Sequence, residues 1–271
     1  MSLLRIHHRL GSAVLALAAA LASTSATKGT TLPIIRQFPA PDQGAAGMTF
    51  VNGDLWVWAV DEPDLFYVLD PDDGAILASF PSPATGGPTG LAFDGDFVWG
   101  VSGYGSYLPF FSKFAPTNGS VVASFPPPVS NPTGLTFDGR YLWLSESDGH
   151  QLLKMDPNTL SILQTINKEP YFSYDLAWGG GALWLAGFTR PDGHFLYQID
   201  PATGNTLGVF DAPGTGAIGL ACDGNSLFVS GASDGMIYVL AIPEPASLLL
   251  MVVALCTTLP RKRYPQGLHY T

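Results

Sequence analysis

Two copies of one tripeptide, Asp148-Gly149-His150 and Asp192-Gly193-His194, set a carboxylate and an imidazole two residues apart in short polar segments. Comparable segments elsewhere carry Asp61 and Glu62, Tyr104 and Tyr107, and Asp234, while Glu146 opens the segment that ends at His150. Gathered around one opening, these oxygen and nitrogen donors would hold a cation such as Ca²⁺, or a polar ligand. Glu146 and Glu169 would serve as general acid and base if they faced a single pocket. A plainer reading competes with both: Asp-Gly is the common hairpin dipeptide, and exposed loops carry histidine freely. No spacing matches a dedicated metal motif, so Ca²⁺ is a candidate only through this ring and no other cofactor is expected. The run Asp70-Pro71-Asp72-Asp73-Gly74 begins like a calcium loop but lacks the remaining ligands and the terminal Glu, and reads as a turn. No nucleophile elbow, phosphate loop or zinc-binding helix occurs, and no residue is assigned as catalytic.

The elements that must position these segments are legible as a repeat. Ten-residue blocks beginning at Gly47, Gly90, Gly134, Asp175 and Gly219 align without gaps, with starts 41 to 44 residues apart. A period in the forties with strand signatures in every unit predicts an all-β, five-bladed β-propeller of four-stranded blades over residues 33–242. Strand a is the Leu-x-Phe segment, and Asp-Gly or Asn-Gly supplies positive-φ positions for the turn into strand b. Strand c ends at an Asp-Pro turn, at Asp70-Pro71, Asp156-Pro157 and Asp200-Pro201, and strand d follows. The b-to-c segments, which carry the candidate donors, should share one face with the d-to-a connections. The fifth unit lacks a strand d, because Ile237–Leu240 runs straight to Pro243. Pro33–Pro41 parallels Ala75–Pro83, so the N-terminal segment is expected to close the last blade and hide its edge. Trp56, Trp99, Trp143, Trp184 and Phe228 recur at one block position, which predicts packing between blades rather than a stacking platform for sugar.

Within residues 33–243, six Lys/Arg stand against 21 Asp/Glu. A surface this acidic repels phosphate backbones and argues against nucleic acid, leaving cations, polysaccharide and protein surfaces as partners. The two cysteines, Cys222 and Cys256, give no disulfide framework.

Both ends read as processing segments. Arg5 and Arg9 precede an apolar run, Ala13–Ala22, and the small residues Ser23–Ala26, the order of a secretory signal peptide over 1–26 cleaved after Ala22 or Ala26. At the other end stand Pro243-Glu244-Pro245, an apolar segment at 246–259, the basic cluster Arg261-Lys262-Arg263 and a short tail at 264–271. The apolar segment would be about 21 Å long as a helix, short against a hydrocarbon core of roughly 30 Å. A membrane anchor and a core strand are the other readings of that segment.

The arrangement over 243–263 resembles the PEP-CTERM sorting signal of Gram-negative bacteria. The resemblance implies export through the secretion machinery, transient inner-membrane anchoring, cleavage by an exosortase-type enzyme, and release to the cell surface within the extracellular polysaccharide of a biofilm matrix. Gly-Leu-x-Phe-Asp-Gly, Leu-Trp and Asp-Pro over residues 47–242 resemble exported propellers of the YVTN/NHL-like group and, in blade number, the five-bladed glutamine cyclotransferases. Those shared features are architectural, and no cyclotransferase catalytic residue maps onto a position here. The first functional expectation is a surface-directed propeller that binds a polysaccharide or protein or serves structurally. The alternative is an exported propeller enzyme, glutaminyl cyclotransferase-like or sugar-active.

Overall fold

The computed structural model describes residues 29–42, 45–59, 64–82, 89–103, 110–147, 150–168, 172–189, 192–214, 216–231 and 233–243. Asp61, Glu62, Tyr104, Tyr107, Asp148, Glu169, the signal peptide and the sorting signal beyond Pro243 lie outside them.

The described residues contain strands and turns and no helix. Two N-terminal strands, β1 (Thr30–Thr31) and β2 (Ile34–Pro39), precede the first complete blade, β3 (Ala45–Val51), β4 (Asp54–Ala59), β5 (Leu65–Leu69) and β6 (Ile76–Pro81). Blade 2 is β7 (Gly90–Phe93), β8 (Val98–Ser102), β9 (Phe110–Phe114) and β10 (Val121–Phe125), and blade 3 is β11 (Pro132–Phe137), β12 (Leu142–Glu146), β13 (Gln151–Met155) and β14 (Ile162–Asn167). Blade 4 is β15 (Phe172–Gly179), β16 (Ala182–Thr189), β17 (Gly193–Ile199) and β18 (Thr206–Asp211). Blade 5 takes three consecutive strands, β19 (Ala217–Cys222), β20 (Ser226–Gly231) and β21 (Met236–Ala241), and completes its sheet with β2, antiparallel to β21. The predicted five blades and the predicted closing strand are both present.

The a-to-b turns divide into two kinds. Asn52-Gly53 and Gly180-Gly181 have positive φ at both central residues and make two-residue turns with Val51 opposite Asp54 and Gly179 opposite Ala182. The Asp-Gly turns are wider, and only their glycines have positive φ. There the aspartate acts through its side chain: Asp94 Oδ1 accepts the N–H groups of Asp96 and Phe97, and Asp138 Oδ1 those of Arg140 and Tyr141. The second carboxylate oxygen accepts the indole N–H of the block's tryptophan, at 2.7 Å for Asp94–Trp99 and 2.8 Å for Asp138–Trp143. The Asp70–Gly74 run is a turn as expected, with Gly74 N–H donating to Asp70 O and Asp72 N–H to Asp70 Oδ1.

Apolar burial falls into five clusters, one for each seam between neighbouring blades. The recurring Trp56, Trp99, Trp143, Trp184 and Phe228 are at most 2% exposed and sit in these seams, as their repeated position predicts. Trp99 stacks on Phe111 at 5.1 Å, and Trp58 packs against Phe66, Phe110 and Phe114. Aromatic pairs at such separations add to the stabilisation that area burial gives.

The N-terminal segment reaches further than the closing role assigned to it. β1 runs parallel to β18 on the outer edge of blade 4, Leu32 is buried in the seam between blades 4 and 5, and Phe38 is buried in the seam between blades 5 and 1. Arg36 donates to Pro71 O in blade 1 at 3.0 Å and lies 3.4 Å from the exposed Asp72 carboxylate. Ten residues thus tie three blades together. Phe38→Ala is expected to cost about 3–5 kcal/mol, as for other buried aromatics cut to alanine. Asp72→Ala, which removes a solvent-exposed ion pair, should cost under about 1 kcal/mol. Chemical denaturation of the two variants checks the contrast.

Candidate functional site

The inner strand of each blade is a sheet edge facing the central channel, so its outward N–H groups have no ladder partner and must find acceptors. The block-leading residues Gly47, Gly90, Gly134, Asp175 and Gly219 form the innermost layer. A Cβ at Gly90 would lie 2.5 Å from the backbone nitrogen of Leu135, and one at Gly134 2.6 Å from that of Leu176, so neighbouring blades approach closer than any side chain permits. The exception is Asp175. Fully buried, its carboxylate accepts N–H bonds from Leu176 at 2.8 Å and Leu220 at 2.9 Å, and further ones from Leu135 and Met48. Those four donors hold the same block position in blades 4, 5, 3 and 1. Burial pushes the Asp175 carboxyl well above the usual carboxylate range, and the four N–H donors act against that rise.

Above this layer, on the face of the b-to-c and d-to-a connections, the channel opens over blades 3 and 4. Thr133 Oγ1 lies 2.8 Å from Ser145 Oγ and 3.0 Å from Ser173 Oγ, while Ser145 Oγ accepts the Gly134 N–H. Thr89, Thr133, Ser147, Phe172, Ser173 and Tyr174 line a cavity of about 30 Å³ there, the space of one or two waters.

Glu146 and Lys168 stand at this mouth, 8% and 6% exposed. Glu146 Oε1 accepts a long bond from Ser130 Oγ at 3.4 Å, and the Lys168 backbone N–H donates to His150 O. Burial pulls the Lys168 ammonium from its ordinary value of 10.5 down to about 8, and the Glu146 carboxylate opposes the fall. An amine titrating there is partly neutral at mild pH and competent as a base or nucleophile.

Of the other expected donors, His150, Asp192, His194 and Asp234 are among the described residues. His150 occupies a positive-φ turn position, and Asp192 precedes β17 on blade 4. His194 lies against Tyr174 at 5.5 Å and Phe188 at 5.0 Å, and burial keeps its imidazole pKa below the ordinary 6.5, so it is neutral at pH 7. Asp234 braces blade 5, where its Oδ1 accepts the Met236 N–H and its Oδ2 the Tyr238 hydroxyl. Among the described residues no three His, Cys, Asp or Glu side chains gather as a metal site would require. The described part of the mouth holds one carboxylate, one amine and a group of hydroxyls. Lys168 and Asp175 are the residues that reading by motif missed. Asp175 had a visible signal, one aspartate among four glycines at a single block position.

Among solved structures, the chain resembles a glutaminyl cyclase from Myxococcus xanthus at 17% identity and a TM-score of 0.64, over 81% of this chain and 100% of that one. What they share is the fold. Weaker likenesses are to virginiamycin B lyase from Staphylococcus aureus, at 18% identity and a TM-score of 0.46 over 76% of this chain and 68% of that one, and to the WD40 propeller of Doa1. The Doa1 match has 15% identity and a TM-score of 0.49, over 73% of this chain and 64% of that one. No protein-family model matches the chain, and no curated protein matches it.

Two outcomes test these assignments. Asp175→Ala leaves buried N–H donors without their acceptor and should cost at least about 3 kcal/mol, or about 6–12 °C in Tm for a domain of this size. Lys168, followed by NMR of the dimethylated amine, should titrate near pH 8. In Glu146→Gln its midpoint should fall further, because the anion that favours the charged amine is gone.

Proposed function

We propose that this chain is an exported, cell-surface-directed propeller whose role is to bind or to scaffold, with the mouth over blades 3 and 4 as its ligand face and extracellular polysaccharide or a protein surface as its partner. One observation carries the reading. The ring is completed by β2, and the propeller forms a single unit over Ser25–Ile242, so the segment that resembles a sorting signal follows a finished fold. A tail of that kind is removable without opening a blade. The polar groups described at the mouth support binding over catalysis. Thr133, Ser145 and Ser173 already satisfy one another, so they are occupied in holding the mouth rather than in serving a reacting group.

A second reading is favoured by one specific feature, the Lys168 amine lowered to about 8 beside Glu146. That pair would suit proton transfer in an exported enzyme, and the fold shared with a glutaminyl cyclase makes an N-terminal glutaminyl peptide the first substrate to try.

Mass spectrometry of the mature protein from its native cells tests the first reading: a new C-terminus near Pro243 is expected, and an intact Thr271 overturns the processing. Incubation with an N-terminal glutaminyl peptide tests the second. Unchanged peptide mass is expected, whereas loss of ammonia that Lys168→Met abolishes would establish catalysis.

A further inference from the structure

At the end of the channel opposite the mouth described above, below the Asp175 layer, lies a cavity of about 270 Å³. Its volume is roughly nine waters' worth, near the lower end of small-molecule sites. All five inner strands line it. The fourth block position contributes Phe50, Phe93, Phe137 and Trp178 from blades 1 to 4, and in blade 5 that position is Cys222. Each of the four rings is half-buried and packs its far side into a seam between blades. Burial raises the Cys222 thiol to about 11, so it stays protonated and contributes no charge.

Blade 5 departs from the repeat at the cavity's rim as well. In blades 2 and 3 the outer oxygen of the turn aspartate is hydrogen-bonded: the indole N–H of Trp99 donates to Asp94, and Asp138 accepts from Trp143 and has the Lys154 ammonium 3.9 Å away. The blade 5 counterpart is Asp223, which lines the cavity. Its Oδ1 accepts the Asn225 and Ser226 N–H groups as in the other blades. Phe228, however, has no N–H to offer, and Val239 replaces the lysine opposite it on strand c. The Arg36 guanidinium from β2 lies 5.6 Å from the Phe228 ring centre but makes no ion pair with Asp223. Among the described residues Asp223 makes no ion pair. Its second carboxylate oxygen has no hydrogen bond among the described residues, and Asp223 is exposed at the rim of a cavity lined by aromatic residues, in a protein of net charge −10.

We propose that this cavity is a binding site for a small organic cation of the quaternary-ammonium class, with Phe50, Phe93, Phe137 and Trp178 surrounding the alkylated nitrogen and Asp223 supplying the counter-charge. A bare metal ion finds no group of three His, Cys, Asp or Glu side chains among the described residues, and an anion meets aromatic side chains beside a carboxylate. A soft cation with an apolar skin gains from both the rings and the charge. The site lies on the opposite face from Glu146 and Lys168, so its fate is independent of the function proposed for that mouth.

Isothermal titration of the full chain compares choline with 3,3-dimethylbutan-1-ol, which has the same shape without the charge, with sodium chloride as the ionic-strength control. Choline should bind about tenfold or more tightly than the alcohol. Asp223→Asn, which keeps an acceptor for Asn225 and Ser226, should weaken choline about tenfold and leave the alcohol unchanged. Trp178→Leu should weaken choline more than the alcohol. Equal affinities for the two probes, no choline heat at millimolar concentration, or an Asp223→Asn protein that binds choline as before would each overturn the proposal. Thermal melts establish that each variant is folded. Should Trp178→Leu fail to fold, the Asp223→Asn comparison decides alone.

Discussion

One carboxylate holding N–H groups from four blades is the interaction on which this ring depends. A propeller blade leaves its inner strand unpaired along the axis, and in a five-bladed ring those strands come close enough to exclude side chains. Their backbone donors are then buried with nothing to accept them, at a cost of about 1–3 kcal/mol each. Asp175 meets this by standing where the other blades have glycine and turning both oxygens to Leu176, Leu220, Leu135 and Met48. The two carboxyl oxygens together offer about four lone-pair sites, so the donor count suits them. The glycines at 90 and 134 are the other half of the same constraint, because they let neighbouring backbones approach.

The seams add a second, non-directional layer. Each buries apolar residues from two blades, and the seams between blades 4 and 5 and between blades 5 and 1 are complete only when the N-terminal segment closes the ring. Closure by β2 brings the chain's first described residues against its last strand. β1 and Leu32 extend that contact to blade 4, and Phe38 and Arg36 extend it to blade 1. Contacts this distant in sequence are slow to form, since the loop-closure entropy precedes the gain. The strap compensates by engaging two seams at once.

The fold was legible because its determinants repeat. The Leu-x-Phe strands, the Asp-Gly and Asp-Pro turns and the buried tryptophans each occur several times, so their spacing alone gave blade number and strand order. The closing strand was legible for the same reason, as the Phe-Pro ending of 33–41 matches that of 75–83. The site was less legible. The tripeptides at 148–150 and 192–194 attracted notice because each pairs an aspartate with a histidine; of their described residues, His194 packs against Tyr174 and Phe188, and the related Asp234 accepts bonds from Met236 and Tyr238. Glu146 was recognised, but its partner was not: Lys168 lies 22 residues on, after strand d, and only the return of the chain to the upper face brings the two together. Local motifs report turns well. They do not report which connections meet.

Departures from the repeat are where a symmetric ring becomes able to discriminate. A five-fold set of identical groups around an axis presents the same environment in every direction, and small ligands rarely share that symmetry. Blades 4 and 5 carry the exceptions: Asp175 for glycine, Cys222 for an aromatic ring and Phe228 for tryptophan, while Val239 stands where blades 2 and 3 have lysine. The first of these closes the channel at mid-height and divides it into two separate mouths. The others remove, on one side of the lower mouth, an aromatic ring and the donors that occupy the turn aspartate elsewhere. Charge and apolar surface are thereby placed on opposite sides of one opening, which is the asymmetry a cation with an apolar skin requires.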